Sequence, residues 1–507
     1  MTSRTQVPVA TQTDRRRWIA LAIVMAAAFM DLVDVTIVNI AIPAIQEDIG
    51  ATVSQIQWIV AGYALAFAVG LITGGRLGDI YGRKRLFLAG IAGFTIASAL
   101  CGIAQSPELL VTARILQGAM AALMVPQVLA IIHATFPPHE KGKVFGLWGA
   151  IVGLGGISGP LIGALLTHWN LFGLEWRPIF LINLPVGILA LILGAKYIEE
   201  SRSPQALRLD LVGVIVGTVG LLMLLYPLTR GEETGWPTWG FVTMFASIPV
   251  FGALIAYERA KSRRDGSPLI ELSLFRVKGF SAGVAVQLAF GVVTGVFFLV
   301  WTLYMQVGLG WSVLRAGLSG IPFSVATTIA AGISVQLLIP KLGRKVLQMG
   351  ALLMGTGMAL YGWTANHFGQ EVTFWQMVPA LLVIGFGMGL IVSPLINAIL
   401  AEVPLAHAGS ASGLIHTMLQ VGQALGLALT SVFFFGVLSE TSSGGRSPFV
   451  DAFENTAYWL AGILAVIAVL MTALPAAAAP PQVDGPPQGL PTETEPAEVK
   501  IPVPAGR

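Results

Sequence analysis

Charge is what this chain has least of: Asp, Glu, Lys and Arg together make up 11% of its 507 residues, where soluble domains carry about a quarter. Water is therefore not its main solvent. Cysteine is almost missing. Cys101 stands alone, so no internal disulfide can form, and neither a redox compartment nor a metal site can be argued from thiols. A glycine-rich phosphate loop closing on Lys-Ser or Lys-Thr is also absent, which removes the simplest route to an ATP-driven pump. No cofactor and no enzymatic chemistry are expected, and energy for any work must come from elsewhere.

What is present is apolar length. Hydrophobic residues make up 55% of the chain and the mean hydropathy is +0.78. A hydrocarbon core takes about 20 apolar residues per crossing helix, and fourteen such runs can be counted between Trp18 and Leu474. Runs this long without strict alternation must satisfy their backbone groups internally, as helices. The expected fold class is an all-α integral membrane protein. Arg15, Arg16 and Arg17 before the first run resemble the start of a signal peptide, but that run is too long for one and carries Asp31 and Asp34, so it is expected to stay in the protein.

The basic residues set the expected orientation. With the amino terminus inside, 24 of the 29 Lys and Arg fall in inner segments, four in outer loops (Arg177, Arg230, Arg315, Arg446) and one, Arg114, inside a helix. That asymmetry places both termini in the cytoplasm of a multi-pass cell-membrane protein. The net charge of +3 then reports topology, and no nucleic-acid partner follows from it. Gly82-Arg83-Lys84 recurs as Gly343-Arg344-Lys345, an offset of 261 residues. The expected organisation is a cytoplasmic segment 1–17, a six-helix half 18–200, an inserted helix pair 201–258, a cytoplasmic linker 259–278, a second six-helix half 279–475 and a disordered Pro- and Ala-rich tail 476–507.

Several motifs carry a family resemblance. Gly75-Arg76-Leu77-Gly78-Asp79-Ile80-Tyr81-Gly82-Arg83-Lys84-Arg85 resembles the signature loop between helices 2 and 3 of the major facilitator superfamily. The stretch Leu32 to Pro43, Arg114 with Gln117-Gly118, and Trp176 to Gly187 are similar to motifs of its fourteen-span drug:proton antiporter branch. Gly155, Gly159-Pro160 and Gly163 resemble its antiporter motif, although Ala164 stands where the final glycine belongs, and Pro178 replaces a usual aromatic. The resemblance implies two six-helix halves plus two inserted helices, protons as the coupling ion, and a small hydrophobic or amphipathic drug, antibiotic or secondary metabolite as the exported substrate. It also implies that Gly75, Asp79, Gly82, Arg83 and Lys84 act as a conformational latch, with Asp79 pairing with Arg83 or with amides at a helix end in the other half. A monomer in the lipid bilayer is the expected working unit. Movement of lipid-like substrates by the same fold, or a non-transporting sensor, are the alternatives.

Read physically, Asp31, Asp34 and Arg114 are the three formal charges well inside the apolar runs, and buried charges face a cavity, pair, or carry ions. Asp34 lies about 14 Å and Arg114 about 9 Å below the outer ends of their helices, so the two can meet. They form either a permanent tie between helices 1 and 4 or a pair in which Asp34 takes and releases a proton. Asp31, three residues earlier, either shares that proton chemistry or only hydrates the cavity. The helix 5 glycines read as close packing or as part of a functional bend at Pro160. Candidate cavity residues, polar or aromatic within spans, are Asn39, Tyr63, Gln127, Gln287, Trp301, Tyr304, Asn397, His416 and Gln420. No metal site is expected.

Overall fold

In a computed structural model the described residues are 14–169, 173–202, 209–231, 235–264, 268–401, 403–404, 407–440 and 448–474. The tail expected to be disordered lies outside them. Fourteen long helices run in chain order: α1 (Asp14–Ile49), α2 (Val53–Tyr81), α3 (Arg83–Gly102), α4 (Pro107–Thr135), α5 (Pro138–Trp169), α6 (Pro178–Tyr197), α7 (Leu211–Arg230), α8 (Thr238–Arg264), α9 (Lys278–Gly308), α10 (Leu314–Leu342), α11 (Lys345–Phe368), α12 (Phe374–Ala401), α13 (Ala408–Leu438) and α14 (Pro448–Ala473). Among the described residues twelve are long and apolar enough to cross a membrane. The remaining two, α5 and α11, are 32 and 24 residues long. At 1.5 Å per residue both are longer than the roughly 30 Å of a hydrocarbon core.

Local sequence explains the helix ends. Thr52 and Gln55 form a reciprocal capping box at the start of α2, and Ser106 followed by Pro107 opens α4. Gly82, at φ +111°, turns the chain between α2 and α3 in a conformation that side chains resist. The first residues of α3 have no cap of their own; the Glu200 carboxylate supplies it, accepting from the amides of Lys84 and Arg85 at 3.1 and 3.2 Å.

Small residues set how closely the helices approach, as expected where lipid offers no hydrophobic drive between helices. Packing α2 on α4 leaves no room for a Cβ at Gly74, which would strike the Ala122 carbonyl, and Gly75 likewise faces the Gly409 carbonyl of α13. The first six helices meet the last six chiefly where α2 and α4 pack on α13 and where α5 packs on α10 and α12. The α7–α8 hairpin lies beside the first of these, touching α2 and α13. Trp375 is 77% exposed, as an interfacial anchor would be, but Trp311 is 7% exposed, under the Arg315 guanidinium. The cation lies 4.0 Å from the ring centre and covers one face of the indole.

Candidate functional site

At the centre of the first six helices, Asp34 of α1 and Arg114 of α4 are fully buried, with Arg114 Nη1 2.6 Å from Asp34 Oδ2. The second carboxylate oxygen accepts from the amides of Asn183 at 2.7 Å and Gln117 at 2.9 Å. Arg114 also donates to Gln117 Oε1 at 2.7 Å and to the Ile59 carbonyl at 3.2 Å. Ser98 joins the group, accepting from Asn183 and Gln117 and donating to the Phe180 carbonyl. Five helices, α1, α2, α3, α4 and α6, thus meet on one carboxylate and its counter-charge. A buried ion pair of this kind persists when its charges are well hydrogen-bonded, and here both Asp34 oxygens accept while Arg114 Nε and Nη1 donate.

Asp31 lies one turn below, where its Oδ1 accepts the Tyr63 hydroxyl at 2.5 Å. The Tyr63 ring in turn lies under the Arg114 guanidinium, 4.2 Å from ring centre to Cζ. Tyr63, expected in the cavity wall, therefore joins the Asp31 carboxylate to the Arg114 guanidinium through hydroxyl and ring. Asn183 and Ser98 were not singled out by sequence reasoning. The available signal was a lone amide just after the Pro178 start of α6, in a span whose other polar groups, Lys196 and Tyr197, stand at its far end.

The α5 glycines hold this centre from outside. A Cβ at Gly155 would press on Leu32, and one at Gly159 would collide with Thr36 and the Val33 carbonyl. Both contacts flank Asp34 on α1. Gly163 is buried on the same helix; the side chains of Pro160 and Asn39 lie outside the described residues. A second glycine face, not foreseen, comprises Gly142, Gly149 and Gly153, which lie against Val335, Ser393 and Thr327 of α10 and α12. One helix is thus smooth on two sides, toward the charged centre and toward the second half.

At the Gly75–Arg85 loop, Asp79 is fully buried and accepts four hydrogen bonds: from Arg83 at 3.0 Å, from the Gly409 and Ser410 amides at 3.0 and 2.9 Å, and from the Ser410 hydroxyl at 3.1 Å. The carboxylate thus sits on the amino-terminal end of α13, where the helix dipole favours negative charge. Lys84 reaches the Ala195 carbonyl at the end of α6.

The other cavity candidates lie on α4, α9, α12 and α13. Gln127 donates to the Gly74 and Leu123 carbonyls and braces α2 against α4. Trp301 and Tyr304 belong to a buried aromatic cluster, the indole donating to Tyr361 at 3.1 Å and the Tyr304 ring stacked 4.2 Å from Phe453. His416 contacts the Ser412 carbonyl of its own helix at 2.9 Å. Gln287 is buried on α9, while Asn397 on α12 and Gln420 on α13 are half-buried.

Comparison with known proteins places this arrangement. Residues 24–427 match the Major Facilitator Superfamily. The chain belongs to that superfamily. It is 42% identical over 428 residues to the probable actinorhodin transporter of Streptomyces coelicolor, covering 84% of this chain and 74% of that one. It is 35% identical to the puromycin resistance protein pur8 of Streptomyces alboniger, across 91% of both, and 33% identical to the multidrug resistance protein Stp of Mycobacterium tuberculosis, across 82% and 75%. Among solved structures, the human organic anion transporter MFSD10 superposes with a TM-score of 0.65 at 15% identity, covering 91% of this chain and all of that one. The proton:xylose symporter XylE gives 0.64 at 14%, covering 91% and 96%. At such identity these two speak for the fold alone. This superfamily member is a multi-pass membrane transporter and not an enzyme.

Proposed function

We propose that the chain is a proton-coupled antiporter that exports hydrophobic or amphipathic antibiotics or other drugs by alternating access, with both termini in the cytoplasm and fourteen crossings. The carrying observation is the fully buried Asp34–Arg114 pair with its complete shell of donors. In this reading Asp34 is the proton carrier. Arg114 holds it as an anion while the proton is away, and Gln117 and Asn183 keep the carboxylate in place through the exchange. Asp31, linked through Tyr63, senses the same charge. The Asp79 cap on α13 and the glycine contacts of α2 and α5 hold the basic-loop end closed, and rocking of 18–200 against 279–475 breaks them. Export of antibiotics is supported by the names of the actinorhodin, puromycin and multidrug relatives. No cofactor is invoked; the proton gradient supplies the energy.

The test uses purified protein in proteoliposomes with an imposed pH gradient and a panel of aromatic antibiotics that includes puromycin. Parent protein should accumulate at least one of them and stop when the gradient is collapsed. Asp34→Asn should remain folded and lose uphill accumulation, since an amide releases no proton. Uphill transport by Asp34→Asn at the parent rate would remove Asp34 from coupling.

A further inference from the structure

Away from the charged centre, a cavity of about 860 Å³ opens between the α7–α8 hairpin, α2, α13 and the short turn Leu272–Arg276. None of the residues discussed above as cavity candidates lines it. Its wall is apolar, formed by Ile72, Leu221, Phe251, Leu254, Leu414 and Met418, and its rim carries Arg259, Arg263 and Arg276. The three arginines are exposed. Glu271 also lines the rim, with its Oε1 accepting the Ser273 amide at 3.2 Å, so positive charge prevails there by three to one.

The rim is held in place by the fold. The buried Glu258 carboxylate of α8 accepts the Leu269 amide at 2.9 Å and pins the start of the linker against the hairpin. Glu271 caps the turn that ends at Arg276. From Phe251 to Arg263 the wall runs twelve residues along α8, about 18 Å at the helical rise, with charge at one end alone. The surrounding surface is lipid-facing: only 17% of the apolar stretch of α8 is buried, and Val242, Phe245 and Ile248 are more than 60% exposed.

We propose that this groove binds an anionic phospholipid, its acyl chains along the apolar wall and its phosphate at Arg259, Arg263 and Arg276. A long apolar slot with cations at one mouth matches a molecule with a long apolar body and an anionic end. The lipid would wedge between the inserted hairpin and the α2–α13 contact that closes the transporter. The assignment is independent of the Asp34 reading, because no group of that network borders the groove.

The experiment is native mass spectrometry of the full-length protein in neutral detergent, titrated with phosphatidylglycerol and with phosphatidylcholine of identical chains. Parent protein should prefer phosphatidylglycerol by roughly tenfold or more, each arginine contributing up to about fivefold. Arg276→Gln alone should lose part of the preference. The triple change Arg259→Gln, Arg263→Gln, Arg276→Gln should bring the two lipids within about twofold of each other, with phosphatidylglycerol losing far more than phosphatidylcholine. Thr218→Phe, which fills the groove from α7, should weaken both lipids. A thermal unfolding midpoint at the parent value confirms that each variant is folded, and Arg276→Gln decides the case should the triple variant not fold. Equal binding of both lipids to the parent overturns the proposal. So does a phosphatidylglycerol preference that survives arginine removal, or indifference of both lipids to Thr218→Phe.

Discussion

In residues 14–202 the buried interior holds Asp31, Asp34, Asp79 and the guanidiniums of Arg76, Arg83 and Arg114, whereas the buried polar groups of 278–474 include no Asp, Glu, Lys or Arg among the described residues. The second region fills the corresponding space with hydroxyls, one indole and stacked rings, and three π-helical turns interrupt its helices, at Tyr304–Gly308, Ser334–Leu338 and Ser431–Phe435. No such turn occurs among the described residues of the first region. Charges fixed by geometry need a rigid frame, because displacing one partner leaves the other buried and unpaired. Aromatic surfaces tolerate sliding, since their contacts are weak singly and nondirectional in bulk. Under the proposed mechanism the contrast puts charge handling in the first region and adaptable packing in the second.

The sharpest way to break this comparison is to remove Arg114. Arg114→Ala leaves Asp34 buried with only amide donors, and removing one partner of such a pair costs about 3–5 kcal/mol. Stability in detergent should fall accordingly, and gradient-driven transport should stop. Arg114→Lys should recover part of both, because an ammonium cannot serve Asp34, Gln117 and the Ile59 carbonyl in one plane. Adding Asp34→Asn to Arg114→Ala should restore more than about 1 kcal/mol, the sign of coupling between neighbours. Strict additivity in that thermal-unfolding cycle would mean that the two charges do not depend on each other.

A finer comparison deletes one hydroxyl from each region. Tyr63→Phe strips the donor from Asp31, while Tyr361→Phe strips the acceptor from the Trp301 indole. Hydrogen bonds to charged groups are worth about 1.5–3 kcal/mol and neutral ones about 0.5–1.5. Tyr63→Phe should therefore lower the unfolding midpoint more than Tyr361→Phe and should slow gradient-driven transport, which Tyr361→Phe should leave nearly intact. Equal effects on transport would erase the proposed division of labour.

Much of this was legible in the chain. The helical class and the placement of twelve of the fourteen long helices follow from apolar run length, and the Asp34–Arg114 meeting follows from their depths along α1 and α4. Asp79 at a helix end of the other half followed from the loop resemblance. Tyr63 was singled out without its bond to Asp31, and Asn183 and Ser98 escaped, because a polar residue inside a span declares that it needs a partner without saying which. Their partners are 32, 149 and 85 residues away in sequence, and only helix packing brings them together. The second glycine face of α5 was hidden for a related reason: small residues mark close approach, yet the identity of the approaching helix is a tertiary fact. The groove beside the hairpin was invisible because it is a space between elements and belongs to none of them.

The smallest effects come from comparing the two copies of the Gly-Arg-Lys turn. In the first, Asp79 joins Arg83 to the amides of α13, so the turn bridges the two regions. In the second, Pro340 stands where the acid would be, and Arg344 donates to the Thr472 and Leu474 carbonyls at the end of α14, within its own region. Both turns place a cation on helix-terminal carbonyls, Lys84 on Ala195 and Arg344 on Thr472, where the dipole favours positive charge. Only the first adds an anion on a helix start across the regions. Asp79→Asn removes that anion from both the helix start and the buried Arg83 guanidinium, a loss of at least the ~1 kcal/mol of a helix cap. Arg344→Gln should cost about 0.3–1 kcal/mol. Stability alone will not show whether the bridge between regions opens. Spin labels on the loop ends of α2 and α13 will: Asp79→Asn should broaden and lengthen their distance distribution, and Arg344→Gln should leave it unchanged. If both variants open that end alike, the bridge between regions depends on the turns as a pair, and the one-sided latch is wrong.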